Sequence, residues 1–323
     1  MQKILIIGTL PPPIGGVAIH LYRLMKTLDS YGTEYIYYDY KKESPYSGLK
    51  KILKSQFIHT HFSNKRLRFF SIVFLKILNK KIILTFHGKY NFHNIFDKFS
   101  LILADHNFVL NNYSYENALK ITKPCNLQMI SAFIPPTDEE NNLSDTLKKK
   151  LASFIKNKKV VACTNAHSYV LNKDGNDVYG IDFLLKIFSS VPDKCLIVSD
   201  PSGKLREHYT SYLKFGNILF ISENHPFINI LKISNVFVRA TTSDGDSLSV
   251  REALYLNIKV IASDCVDRPK GCLIYKTGNE ESFINCLDAS IKHLTNKIEI
   301  ENGATALVNF YQNIQSLISP NKD

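Results

Sequence analysis

The chain is 323 residues long, 45% hydrophobic and 21% charged, with a net charge of +11. That length is roughly twice an ordinary domain, and the composition supports full cores and excludes a mainly disordered or collagen-like polymer. The charge is one-sided: residues 1–135 hold 18 Lys and Arg against 7 Asp and Glu, whereas residues 136–323 hold 22 of each. Lys3–Ile7 reads as a buried strand, followed by a loop over Gly8–Gly16. A helix over Val17–Leu28 follows, because Ile19, Leu21, Leu24, Met25 and Leu28 recur at helical spacing. Strands are predicted at Thr33–Tyr38, Phe57–His61, Lys81–Phe86, Leu101–Ala104, Phe108–Leu110 and Leu127–Ile130, with a basic, apolar helix over Lys65–Leu78.

The alternation lapses in the polar, proline-containing stretch Ile134–Asn142, so residues 136–158 are expected to be a linker. It then restarts. Strands are predicted at Lys159–Cys163, Lys194–Val198, Asn217–Ile221, Val236–Arg239 and Val260–Ala262. Helices are predicted at Gly180–Ser189, Ile228–Lys232, Leu248–Tyr255, Ser282–Leu294 and Ala304–Ile318. Strands alternating with helices make parallel sheets covered on both faces. The expected fold class is therefore α/β, with two Rossmann-like, doubly wound domains over 1–135 and 159–303 and a closing helix in 304–323.

The most informative stretch is Val236–Asp264, a strand, a polar loop, a helix starting near Ser247 and a second strand. Ser247 and Ser249 suit an N-cap. A helix start with free N–H groups and a positive dipole end is a natural phosphate site. Asp244 and Glu252, eight residues apart, set one carboxylate before the helix and one about a turn into it. Carboxylates so placed can accept from sugar hydroxyls while the amides between them hold a phosphate.

This segment resembles the donor-binding segment of glycosyltransferase family 4, retaining enzymes of the GT-B fold, here of the bacterial surface-polysaccharide type. The matching residues are Asp244-Gly245, Glu252-Ala253-Leu254 and Val260-Ile261-Ala262-Ser263, with Asp in place of the commoner first Glu. The resemblance implies that the two domains face across a cleft and that the closing helix crosses back to the first. It implies that Glu252 holds the ribose of a nucleotide sugar and Asp244 contacts the transferred sugar. The amides of Asp246, Ser247 and Leu248 would then bind diphosphate or sugar. Two further places carry it. Gly15-Gly16, opening the first helix, matches the turn beside the donor phosphate; His87-Gly88, ending the strand Lys81–Phe86, matches a histidine near the transferred sugar. One departure stands out: the Arg and Lys usual early in the second domain are absent, and the chain reads Cys163–His167 and Tyr179-Gly180 there. Arg239 is the expected substitute on the diphosphate, with Arg251, Lys173 and Arg268 behind it.

No metal site is expected. Asp244-Gly245-Asp246 has the form of a D-x-D chelator but lies inside a better match. His59 and His61 are read as pointing to opposite faces of a strand, each lining the cleft or packing. No cofactor is expected. Residues 41–89 hold twelve Lys and Arg against one acid, Glu43, with Phe57, Phe62, Phe69, Phe70 and Phe74 interleaved. This region is expected to dock on an anionic membrane surface, not on nucleic acid, for which no module is visible. No apolar run reaches the roughly 18 residues of a spanning helix, and no signal peptide precedes the first strand. Six scattered cysteines without C-x-x-C spacing suit a reduced, cytoplasmic chain, peripheral at the inner face of the membrane.

The resulting expectation is a metal-independent hexosyl- or N-acetylhexosaminyl-type glycosyltransferase. It would move sugar from a nucleotide-diphosphate sugar donor to a saccharide or lipid-linked acceptor, with retention, in polysaccharide or glycolipid assembly. The alternatives are a nucleotide-sugar epimerase or phosphorylase of the same fold, or an inert membrane-associated partner subunit.

Overall fold

A computed structural model describes residues 3–12, 15–140, 142–292 and 298–318. Pro13 and Ile14 of the Gly-Gly turn, Asn141 of the expected linker, the last two residues of the helix expected at 282–294 and the tail 319–323 lie outside them. The chain divides into two compact units, 1–135 with 301–323, and 136–300.

The first unit runs β1 (Ile4–Gly8), α1 (Gly16–Ser30), β2 (Tyr35–Asp39), α2 (Pro45–Lys54), β3 (Phe57–Thr60) and α3 (Lys65–Ile77). It continues through β4 (Lys81–Phe86), α4 (Ile95–Leu103), β5 (His106–Val109), α5 (Asn112–Leu119) and β6 (Leu127–Met129). All six strands are parallel in the order β2-β1-β3-β4-β5-β6. Every residue of β1 is buried, because helices cover both faces of the sheet. Leu5, Ile7, Ile58, Ile82 and Leu84 pack against α2, α3 and α4 on one face. The strand expected at Leu101–Ala104 is instead the end of α4 and its cap. A four-residue apolar run fits a buried strand or helix equally, and here Asn94 starts a helix by accepting from the N–H of Phe96.

The second unit opens with α6 (Asp145–Ile155), inside the stretch expected to be a linker. Ser144 accepts from the N–H of Leu147, and Leu147 and Leu151, one turn apart, bury in the second unit's core. There follow β7 (Val160–Asn165), α7 (Ile181–Ser189), β8 (Lys194–Ser199), α8 (Lys204–His208), β9 (Ile218–Ile221) and α9 (Ile228–Lys232). Then come β10 (Val236–Arg239), α10 (Leu248–Tyr255), β11 (Lys259–Ser263), β12 (Cys272–Tyr275) and α11 (Glu280–Lys292). These six strands are also parallel, in the order β12-β11-β10-β7-β8-β9. The closing helix α12 (Gly303–Ile318) belongs to the first unit. Its Ala304, Leu307, Val308 and Tyr311 pack with α1 on Ile4, Ile6, Ile83 and Phe108, the face opposite α3. Gly303 is required where it starts, because a Cβ there would lie 1.9 Å from the carbonyl oxygen of Ser131.

Candidate functional sites at the carboxyl ends of the two sheets

In each sheet the strand order reverses once, between β1 and β3 in the first and between β7 and β10 in the second. Ligands of open α/β sheets bind beyond the carboxyl ends of the strands at such a reversal. The expected site residues fall at both places.

In the second unit, Arg239 ends β10 and Asn165 ends β7. Arg239 grips Asp244 in a fork, Nε to Oδ2 at 2.9 Å and Nη2 to Oδ1 at 3.1 Å. Arg268 donates from Nη1 to the same Oδ2 at 2.8 Å, and the Thr241 hydroxyl and the Gly245 N–H complete the shell. Its two oxygens take five protein donors, so Asp244 anchors two guanidiniums. Burial alone would raise its pKa, but Arg239 and Arg268 outweigh burial and hold it at about 2. Asp246 receives Arg251 Nε at 2.7 and 2.8 Å. Both carboxylates of the D-x-D sequence are therefore engaged by arginine.

Ser247 is the N-cap of α10, with extended backbone and no side-chain capping bond, and Leu248 is the first helical residue. Ser249 in the first turn accepts from Asn165 Nδ2 at 2.7 Å, and Arg239 Nη1 reaches Asn165 Oδ1 at 3.4 Å. One short hydrogen-bond chain thus ties the arginine to the helix start. Glu252 lies further along α10 and is buried. At Tyr179, where the resemblance led one to expect a lysine, the ring lies under Arg239, 5.5 Å from the guanidinium. Gly180 beside it has φ +65°, and a Cβ there would lie 2.1 Å from the carbonyl oxygen of Ala240.

In the first unit, Gly15 is the N-cap of α1. A Cβ at Gly15 or Gly16 would meet nothing within 4 Å, and Gly15 has an ordinary extended backbone. Packing among the described residues demands glycine at neither position, which leaves open space over the helix start. His87 follows β4 and hydrogen-bonds His61 across 2.9 Å, Nε2 to Nδ1. His59 and His61 share one side of their strand, with ring centroids 4.2 Å apart. The reading of opposite faces is overturned, because residues two apart on a strand point the same way. His59 packs, with its nitrogens on the hydroxyls of Tyr311 and Thr85. His61 and, from α1, His20 join His87 instead. His20 escaped the sequence reading; its position four residues beyond Gly16, on the helix that leaves the turn, was the available signal.

The basic region resolves into parts with different work. Arg68 is buried on Asp97, and Lys51 is bound to Glu43 at 2.6 Å. On α3, Phe70, Phe74 and Ile77 are exposed at spacings of four and three; on α4, Ile95, Phe99 and Ile102 repeat that spacing. Phe69 joins the two rows through Phe70, Phe96 and Phe99. Lys65, Arg66 and Lys98 are exposed on the same helices. No described helix is long and apolar enough to cross a membrane.

Comparison with protein-family models and with curated proteins finds no match. Solved structures match along almost the whole chain. Sucrose-phosphate synthase from Thermosynechococcus elongatus superposes with a TM-score of 0.68 at 14% identity, covering 98% of this chain and 100% of its own. HepE from Anabaena, in complex with UDP-glucose, gives 0.65 at 12% identity, covering 98% and 99%. UDP-GlcNAc 2-epimerase from Methanocaldococcus jannaschii gives 0.65 at 12% identity, covering 97% and 100%. At such identities the likeness is one of fold. The chain is a GT-B-type α/β protein with two parallel six-stranded sheets.

Proposed function

We propose that the protein is a glycosyltransferase that takes a sugar from a nucleoside diphosphate sugar and transfers it, with retention, to a saccharide or lipid-linked acceptor in polysaccharide or glycolipid assembly. One observation carries this reading. Two guanidiniums share a single carboxylate beside the start of α10, at the strand reversal of the second sheet. That is a cationic, amide-rich place for a diphosphate. Arg239 binds the leaving diphosphate, with Arg268 behind it, and the amides of Asp246, Ser247 and Leu248 bind its oxygens. Asp244 works through the arginines, fixing their planes before substrate arrives. Glu252 accepts from the ribose hydroxyls. Gly15 and Gly16 let the acceptor or donor approach backbone closely, and His87 lies by the transferred sugar. Electrostatic stabilisation of the departing diphosphate supplies the main rate enhancement. Added Mg²⁺ or Mn²⁺ has no role at Asp244 and Asp246, since arginines hold both.

The apolar rows of α3 and α4, with Lys65, Arg66 and Lys98 about them, form the face that meets an anionic membrane. Aromatic and aliphatic side chains enter the headgroup boundary while the cations meet lipid phosphates. A lipid-linked acceptor lies in that same plane.

The test is a thermal-stability panel of nucleoside diphosphates and their sugars on the whole chain, since a ligand of the folded state raises its stability by mass action. One base series should raise the melting temperature. Glu252→Ala should weaken that binding about tenfold or more, because a hydrogen bond to a charged group is worth roughly 1.5–3 kcal/mol. A folded Glu252→Ala protein that binds like wild type would refute the donor site. A second reading, epimerase action, has the fold likeness to the 2-epimerase behind it. Incubation with donor alone separates the two: an epimerase turns the nucleotide sugar over, whereas a transferase waits for acceptor.

A further inference from the structure

His20, His61 and His87 each bring one ring nitrogen to within 4.8 Å of the other two. They come from three elements: the first turns of α1, the residue after β3 and the residue after β4. His20 and His61 are each only 2% exposed. His20 Nδ1 lies 2.9 Å from the carbonyl oxygen of Ala132. A carbonyl only accepts, so that nitrogen carries the proton and Nε2 carries a bare lone pair. Among the described residues this Nε2 is buried without a hydrogen-bond partner, and so is His61 Nε2. Two orphaned imidazole nitrogens in one buried cluster cost free energy unless something occupies the space between them.

From this geometry we propose that the three histidines form a binding site for one divalent transition-metal ion of the zinc class. Three neutral imidazoles suit zinc, cobalt, nickel or copper and suit the hard ions magnesium and calcium poorly. A ring held through Nδ1–H on a backbone carbonyl, presenting Nε2, is the usual posture of a metal-binding histidine. Metal–nitrogen bonds of about 2.05 Å set tetrahedral ligands about 3.3 Å apart, against at most 4.8 Å between the ring nitrogens here. With His61 Nδ1–H donating to His87 Nε2, the lone pair lies on His61 Nε2; seating the ion on His61 Nε2 and His87 Nε2 breaks that hydrogen bond and moves no proton, each ring keeping its own on Nδ1. Three protein ligands leave a fourth position open, and half-buried His87 is the side from which an oxygen ligand enters. This site lies in the first unit and shares His87 with the donor reading, but ion binding is measured without donor, so failure of either reading leaves the other standing.

The experiment uses the full chain stripped with a chelator and titrated with Zn²⁺ by calorimetry and with Co²⁺ by visible absorption. One ion per chain should bind, and Co²⁺ should give the intense bands of a four-coordinate site. His20→Asn and His61→Asn should each weaken binding by more than the roughly 10- to 100-fold that loss of a supporting hydrogen bond costs. His93→Ala, an exposed histidine, should leave binding unchanged. Because buried variants can misfold, His87→Ala serves as the tolerant ligand deletion, with nucleoside diphosphate binding on the same sample reporting the second unit. The proposal is overturned if wild type takes up no stoichiometric ion, or if the folded His87→Ala protein binds Zn²⁺ and Co²⁺ as wild type does.

Discussion

At the carboxyl end of the first sheet the polar groups are imidazoles, with His20, His61 and His87 at ring separations of 5.0 to 6.1 Å. At the same end of the second sheet they are full charges, with Arg239, Arg268 and Asp244 joined at 2.8 to 3.1 Å. The side chains of both clusters are largely shielded from water, and that shielding penalises charge in both. The first escapes the penalty by staying neutral. The second escapes it by pairing. One fold type, used twice, thus provides a soft, uncharged recess and a hard, cationic one.

The largest break in this comparison should come from Asp244→Ala. It strands two guanidiniums that have lost their partner, and removing one member of a buried pair costs about 3–5 kcal/mol. Denaturant unfolding measures it. A loss under about 1 kcal/mol would mean that the arginines find water instead.

Acid should separate the two ends next. Burial lowers His20 from its ordinary value to about 4, with Arg23 adding to the effect and the bond to Ala132 opposing it. The unfolded chain therefore binds a proton first, so this stability is complete above about pH 6.5 and is lost as pH falls toward 4. His20 alone accounts for about 3 kcal/mol across that window. Asp244 has the same sign over a lower window: depressed to about 2, it contributes fully above its unfolded value and is lost only as pH falls toward 2. Hydrogen exchange at about pH 4.5 should show the 1–135 segment opening while strands 236–263 stay protected. Earlier opening of the second unit would reverse the comparison.

A smaller effect is expected at the membrane. Lys65→Glu with Lys98→Glu should release the protein from anionic vesicles, each basic residue being worth about 1 kcal/mol near the surface. Phe70→Ser with Phe74→Ser should weaken binding even at high salt, where screening removes the charge term. Binding indifferent to both pairs would leave the α3–α4 face without its proposed partner. Smallest of all is the effect of Gly15→Ala on stability, within about 0.5 kcal/mol, since the added methyl meets open space. Turnover should fall in that variant if substrate occupies the space.

Alternation of apolar runs made the two parallel sheets legible, because strands covered on both faces read as continuous hydrophobic stretches. Helices that bury only two residues each stayed hidden. Pro45–Lys54 buries only Gly48 and Ile52, and Asp145–Ile155 buries only Leu147 and Leu151. At the second sheet, loop, helix and strand lie within one continuous segment, so Arg239, Asp244, Ser247 and Glu252 could be read together. Their pairing could not, because Arg268 reaches Asp244 from beyond the next strand. The histidine cluster was least legible, since His20, His61 and His87 meet only after the chain has wound through three βα units.

The helix α12 carries a consequence for how the protein is made. Its Tyr311 and Leu307 complete the apolar face over Ile4 and Phe108, and Tyr311 bonds His59. A ribosome releases residues 1–135 first, yet that unit lacks one wall until residues 303–314 have emerged. The middle of the chain, 136–300, can close its own core meanwhile. Birth order and completion order are therefore opposite. During synthesis that face of the N-terminal sheet waits with α1 alone upon it, its apolar surface only part-covered until α12 arrives.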